Sequence, residues 1–354
     1  EEMDIYAYIG IYEAVAKLVV VFLLVRSPFD KMVFYACLLA IVGITVFLIN
    51  VIFCKKRFEE VGFKIRFDKV TFKSILSFSG WNIIANLSNT LSSQGVIMLF
   101  NIFFLPVVVA AQSIANQISN AMMQFVNNVR QAVNPQVIKL YADGKYGESQ
   151  KLTFVSAEYV FDLLLLMGVP LIMVMPAILN IWLVEVPEYT VAFARLIVAQ
   201  DILGNFSAAF YTPMVAANKI HKNSIASAIL CVAKFGLLYV LFKFGLGPLW
   251  ARYLALITSI LFSFVIKPYI LWKDVNYNMK DIYHCIWRCM RTLLVVIAVC
   301  VVIYILVPQT TIWSSLVVLV LSLLVVVVIA GLFMEKSLRE RILNKVLRLV
   351  RIRR

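Results

Sequence analysis

The chain has 354 residues, 62% of them hydrophobic and only 15% charged, with a mean hydropathy of +0.91. A soluble domain is nearer half apolar and a quarter charged, so a soluble globular protein is excluded. The net charge of +14 then reads as basic loops facing anionic lipid, and no nucleic-acid partner is expected.

In chain order, ten apolar runs approach bilayer length: 5–25, 33–54, 75–103, 106–129, 152–183, 190–217, 222–242, 249–272, 292–307 and 312–334. A crossing takes about 20 apolar residues, and in lipid each segment must satisfy its own backbone groups. The expected fold class is therefore all-α, a polytopic membrane bundle of about ten transmembrane helices. The runs do not alternate in polarity, which argues against a β-barrel. Pro170 and Pro176 are expected to kink the fifth run.

Loop charge gives the orientation. The loops 55–73, 130–151, 218–223 and 267–291, with the tail 335–354, hold 26 of the 33 Lys and Arg residues. The opposite set, 26–31, 104–105, 184–189, 243–252 and 308–311, holds four: Arg26, Lys31, Lys243 and Arg252. By the positive-inside rule both ends are cytoplasmic. The outer loops are all short, which leaves no room outside the membrane for a catalytic domain. The chain opens at Glu1 and enters an apolar run within a few residues, with no signal peptide, so a fragment that has lost its beginning is expected. In the tail, Leu338, Ile342, Val346 and Leu349 recur at helical spacing among cations, the pattern of an amphipathic helix on an acidic leaflet.

The polar residues concentrate in two runs. The stretch 77–95, SFSGWNIIANLSNTLSSQG, places Ser79, Asn82, Asn86, Asn89 and Ser93 on one helical face. The stretch 110–136, AAQSIANQISNAMMQFVNNVRQAVNPQ, does the same with Gln112, Asn116, Asn120, Gln124 and Asn127. A single amide in a membrane helix is ordinarily glue to a neighbouring helix. Two consecutive helices with five-member stripes point to a hydrated path instead. Ionisable residues inside the runs are few. Glu13 and Lys17 stand four apart and are expected to pair. Glu158 and Asp162 have the same spacing with like charge, which calls for a shared cation or proton. Arg195 sits near the outer end of its run, where snorkelling and a place in the path are equally open. Lys234 lies mid-run, and Asp162 or Asp201 are its candidate counter-ions. His284, Cys285 and Cys289 lie close together but lack a fourth ligand, so no metal and no cofactor are expected.

The stretch from Leu76 to Tyr159, together with NIWLVEVPEYTVAFARL and ANKIHKNSI further on, resembles the bacterial polysaccharide transporter family. These lipid-linked oligosaccharide flippases share a superfamily with the multidrug and toxic compound extrusion (MATE) exporters. The resemblance covers nearly the whole chain and rests on extended similarity, so no catalytic residue is carried over. It implies a fourteen-helix, two-lobe transporter of which this chain supplies the last ten helices. Residues 1–54 would end the first lobe, 55–74 would be a basic cytoplasmic linker and 75–272 the six-helix second lobe. Residues 273–334 would be a terminal helix pair and 335–354 a basic tail. The implied location is the bacterial inner membrane. The implied activity is translocation of an undecaprenyl-diphosphate-linked oligosaccharide for O-antigen or capsule synthesis, with polysaccharide assembly proteins as further partners. The amide stripes suit sugar hydroxyls, and Lys17, Arg195 and Lys234 suit a diphosphate. Glu158, Asp162 and Asp201 are left for coupling or counter-ion roles. Two rivals are a cation-coupled multidrug exporter on the same fold and, in another class, a membrane glycosyltransferase or polymerase. The second needs positioned acids and bases that the outer loops do not supply, so no enzyme activity is expected.

Overall fold

The structure, a computed structural model, describes residues 3–25, 30–57, 68–307 and 311–333. Within them the chain forms twelve α-helices: α1 (Met3–Val25), α2 (Lys31–Arg57), α3 (Lys69–Phe103), α4 (Pro106–Ala142), α5 (Tyr146–Trp182), α6 (Thr190–Asn205), α7 (Tyr211–Ala216), α8 (His221–Lys243), α9 (Leu249–Leu261), α10 (Lys267–Asp274), α11 (Met279–Leu306) and α12 (Ile312–Phe333). A short 3-10 segment, Phe206–Phe210, joins α6 to α7, and a π segment, Phe262–Ile266, joins α9 to α10. No strand occurs among the described residues. The expected tail helix and most of the 55–74 linker lie outside them.

Among the described residues, eight helical stretches are long and apolar enough to cross a bilayer: Met32–Lys56, Ser79–Phe103, Tyr146–Trp182, Thr190–Ala216, His221–Lys243, Leu249–Asp274, Met279–Leu306 and Ile312–Phe333. The other two expected crossings fall on α1 and α4, helices of 23 and 37 residues. The protein is an all-α, multi-pass membrane bundle. Several expected ends are corrected outward. α4 continues well past 129 to Ala142 with Pro135 inside it, and α11 begins at Met279, not near 292. In both places charged residues stop the hydrophobic run without stopping the helix.

Two compact units divide at the first turn of α3, Glu1–Phe72 and Lys73–Arg354. In the first, α1 packs on α2, and Lys17 Nζ meets Glu13 Oε1 at 2.6 Å on an exposed face, as the spacing predicts. In the second, α5 is the central helix, enclosed by α4, α6 and α12, with Phe161, Leu164, Leu165, Met175 and Leu179 fully buried. The helix pair α11 and α12 packs on α5 within this same unit. Large apolar side chains face outward along these helices, among them Val232, Ile257, Ile305 and Val328. Exposed tryptophans mark both ends of the spans: Trp182, Trp250 and Trp313 at one, Trp272 and Trp287 at the other. That is the pattern of a lipid-facing belt with aromatic rings at its two interfaces. We call the first the short-loop end and the second the basic-loop end.

Near the short-loop end, an aromatic layer joins α3, α6 and α8. Phe100 stacks on Phe193 at 5.7 Å, and Phe104 meets Phe242 edge-on at 4.9 Å. Toward the basic-loop end, Phe161, Phe206, Phe210 and Phe154 form an edge-to-face chain between α5 and the 3-10 segment. These layers hold the helices around the polar interior described next.

Candidate functional site

α4 supplies the first wall. Its start is set by Pro106, whose missing N–H costs nothing in a first turn. From there Gln112, Asn116 and Ser119 come round to one inward face at intervals of four and three. α6 brings Asp201 and Gln200 against that face, α9 brings Arg252, α8 brings Lys234, and α3 brings Ser92 and Ser93. Together they enclose a polar cavity of about 200 Å³ inside an apolar bundle.

The charged groups in it are held separately. Arg252, only 8% exposed, donates from Nε to Gln112 Oε1 at 3.0 Å and from Nη2 to Asn116 Oδ1 at 3.2 Å. Gln112 Nε2 donates to the same Asn116 oxygen at 2.7 Å. Asp201, 5% exposed, accepts from Ser119 Oγ at 2.5 Å and from Asn205 Nδ2 at 3.0 Å. Arg252 and Asp201 feel one another's charge but make no ion pair. Each charge is solvated by neutral amides or hydroxyls. Lys234 Nζ has no hydrogen bond or ion pair among the described residues, and Gln200 Oε1 is buried with no donor. The cavity therefore offers one unpaired cation and one unpaired acceptor, with two positive groups against one negative. A buried acceptor such as Gln200 Oε1, left without a donor, calls for a ligand or water.

The sequence-expected residues distribute as follows. Gln112, Asn116, Lys234 and Asp201 meet in the cavity. Asn82 lies elsewhere, accepting from Tyr211 Oη at 3.0 Å. Asn86, Asn120, Gln124 and Asn127 are exposed on the surface of their unit, and the side chain of Asn89 lies outside the described residues. The α4 stripe thus divides: its first two amides turn inward and the rest outward. Lys17 belongs to the other unit. Arg195 is not in the cavity. Its Nε donates to the Ile172 carbonyl at 3.0 Å, and it lines a separate apolar hollow of about 470 Å³ between α5, α6 and α11. Asp162 is not a counter-ion to Lys234 either. With Glu158 it faces α11, where Arg288 Nη1 lies 3.2 Å from Glu158 Oε1 and answers the like-charge spacing.

Sequence reasoning missed Arg252, Ser119 and Gln200. Arg252 falls in both the expected run 249–272 and the outer loop 243–252, and its charge assigns it to the loop. Pro248 is in fact the cap of α9, which starts at Leu249 and carries Arg252 inward within one turn. A proline just ahead of an apolar run was the available signal.

Compared with known proteins, the chain matches no family model, and no curated protein or solved structure is similar to it.

Proposed function

We propose that the protein is a flippase for an anionic glycolipid, of the kind an undecaprenyl-diphosphate-linked oligosaccharide exemplifies, moving it from the inner to the outer leaflet for surface polysaccharide synthesis. The observation that carries this reading is the cavity itself. A membrane bundle does not hold Arg252, Lys234, Asp201 and three amides around open space without cost, since an ionisable group near the middle of a membrane helix, as Lys234 is in α8, costs about 3 kcal/mol or more. The excess of positive over negative groups suits a phosphate-bearing cargo. The amides of Gln112, Asn116 and Gln200 suit hydroxyl-rich sugar, each offering donor and acceptor together. The cargo's lipid tail stays in the bilayer. The resemblance to the polysaccharide transporters supports the same assignment, and the 26-to-4 split of basic residues between alternate loops supports an inner-membrane orientation with both ends of the chain in the cytoplasm.

The test is transbilayer movement of the lipid-linked glycan in cells whose surface polysaccharide depends on this protein, read as access of an impermeant glycosidase to the glycan on spheroplasts. Arg252→Gln and Lys234→Gln are expected to trap the glycan inside, with normal membrane levels of the protein. Unimpaired outward movement in both variants would remove the cavity from the pathway.

A further inference from the structure

A second group of cations lies toward the basic-loop end of the same unit, away from the cavity. From Asn116 to Arg130 along α4 the helix rises about 21 Å, at 1.5 Å per residue. Here the α4 face carrying Arg130 and Asn134 packs on α7, with Thr212 Oγ1 donating to Asn134 Oδ1 at 2.8 Å and Tyr211 beside Arg130. One turn before Tyr211, the 3-10 segment presents Ser207. Lys267, the first residue of α10, donates from Nζ to both the carbonyl and the hydroxyl oxygen of Ser207, each at 3.0 Å. The charges of Arg130 and Lys267 act on one another.

The two cations are not equally provided for. Lys267 has a structural duty: the 3-10 segment frees carbonyls that a continuous α-helix would pair, and the ammonium caps one of them while Ser263 Oγ caps that of Gly204 at 2.9 Å. Two of its three N–H groups are used, and the third has no oxygen acceptor, only the Phe262 ring, whose centroid lies 5.2 Å from Nζ. Arg130 has no such duty. Its Nε is buried without an acceptor, and its guanidinium makes no hydrogen bond or ion pair among the described residues. Among the described residues no carboxylate stands among the groups facing the pair, which include Tyr211, Asn134, Thr212, Ser207 and the Phe262 ring. Two like charges that share a half-buried site with no acid raise each other's cost, and an oxyanion between them removes it.

We propose that Arg130 and Lys267 form an anion site for a phosphate group, the guanidinium fork and the remaining ammonium N–H gripping its oxygens from α4 and α10, with the Tyr211 hydroxyl beside them. The site is separate from the Arg252 cavity and does not depend on the translocation reading. A phospholipid headgroup of the adjoining leaflet and a soluble phosphate share this chemistry.

The experiment is thermal unfolding of the purified chain in nanodiscs of phosphatidylcholine, with three additions made singly: phosphatidylglycerol in the disc, inorganic diphosphate in the buffer, and farnesyl diphosphate. At least one is expected to raise the midpoint by about 5 °C when present about a hundredfold above its Kd. A response to phosphatidylglycerol alone assigns the site to lipid headgroups, and a response to inorganic diphosphate assigns it to soluble or cargo phosphate. Because diphosphate also has the Arg252 cavity to enter, the response is read in an Arg252→Gln, Lys234→Gln background: there Arg130→Gln should abolish it, while in the otherwise intact chain its midpoint without ligand holds or rises, because an unpaired buried cation has gone. Lys267→Met should also lose the response, and the background alone should keep it. The proposal is overturned if Arg130→Gln keeps the response in that background, if no addition shifts the background alone, or if Arg130→Gln in the intact chain lowers the ligand-free midpoint as a purely structural arginine would.

Discussion

Arg252 and Arg130 are the same residue type in the same helical unit, and their surroundings differ in every respect that matters. Arg252 is enclosed, its guanidinium anchored by two amides, with a carboxylate within electrostatic range. Arg130 is half-buried, has a second cation beside it and has no acceptor. The first arrangement fixes its guanidinium with two of five N–H groups, leaving the others, with Lys234 and Gln200, to meet a ligand. The second is incomplete until an anion arrives. Charge alone therefore does not identify a binding group in a membrane bundle; the question is which of its hydrogen bonds are already made.

The sharpest way to break this contrast is to truncate both arginines. Arg252→Met leaves Gln112 Oε1 in a closed cavity without its donor and should cost about 1–3 kcal/mol of unfolding free energy. Arg130→Gln should stay within about 0.5 kcal/mol of wild type, the usual range for a side chain with no partner to lose. Equal losses, measured by unfolding in mixed detergent, would show that the two sites are not different in kind.

Next in size is the seam between them. A Cβ built on Gly204 would lie 2.1 Å from Ser259 Oγ and 3.5 Å from Ser259 Cβ. Gly204→Ala should therefore cost about 1–3 kcal/mol through overpacking between α6 and α9. Adding Ser259→Ala should recover most of that loss, since the obstructing atom is a hydroxyl. An unrecovered double variant would place the strain in the backbone.

How far the sequence foretold these places follows from what each residue does to its neighbours in the chain. The helices were legible because apolar length is a local property. Gln112, Asn116 and Lys234 were legible because polar residues interrupting such runs stand out. Arg252, Arg130 and Lys267 were misread for one reason: each lies at the end of an apolar run, where a charge looks like the beginning of a loop. Helix α4 runs on through Pro135, and α10 continues to Asp274, so both cations sit on helical faces. The pairing of Glu158 with Arg288 was out of reach, because it joins α5 to α11 across more than a hundred residues. Nor did the amide stripe on α4 foretell its own division, which depends on where α6 and α9 cover it.

A smaller effect sharpens the comparison from the Asp201 side. Neutralising it by Asp201→Asn removes the one negative group near Arg252 and Lys234. A diphosphate probe should then bind the cavity roughly fivefold more tightly, the order expected for one charge at several ångströms in a medium of intermediate dielectric. Unchanged binding by isothermal titration would mean that Asp201 does not offset those cations.

The smallest effect lies at the basic-loop end, in the loop before α11. Burial raises the Tyr277 hydroxyl above its ordinary value of 10.0, partly offset by its hydrogen bonding with the Thr153 and Ser149 hydroxyls. A raised folded-state pKa contributes stability that is present below pH 10 and is lost as pH climbs through the folded value. Unfolding free energy should therefore fall above about pH 10, and Tyr277→Phe should flatten that slope. An identical slope in the variant would assign the alkaline loss to another group.

The central claim, that the cavity of Arg252 and Lys234 carries an anionic glycolipid across the membrane, is tested most directly by following the cargo with each charge changed in kind and in sign. In spheroplasts, outward appearance of the lipid-linked glycan should persist in Arg252→Lys at reduced rate, fall at least tenfold in Arg252→Gln, and be absent in Arg252→Glu with Lys234 intact. Wild-type rates of appearance in Arg252→Glu, at equal protein in the membrane, would contradict the account.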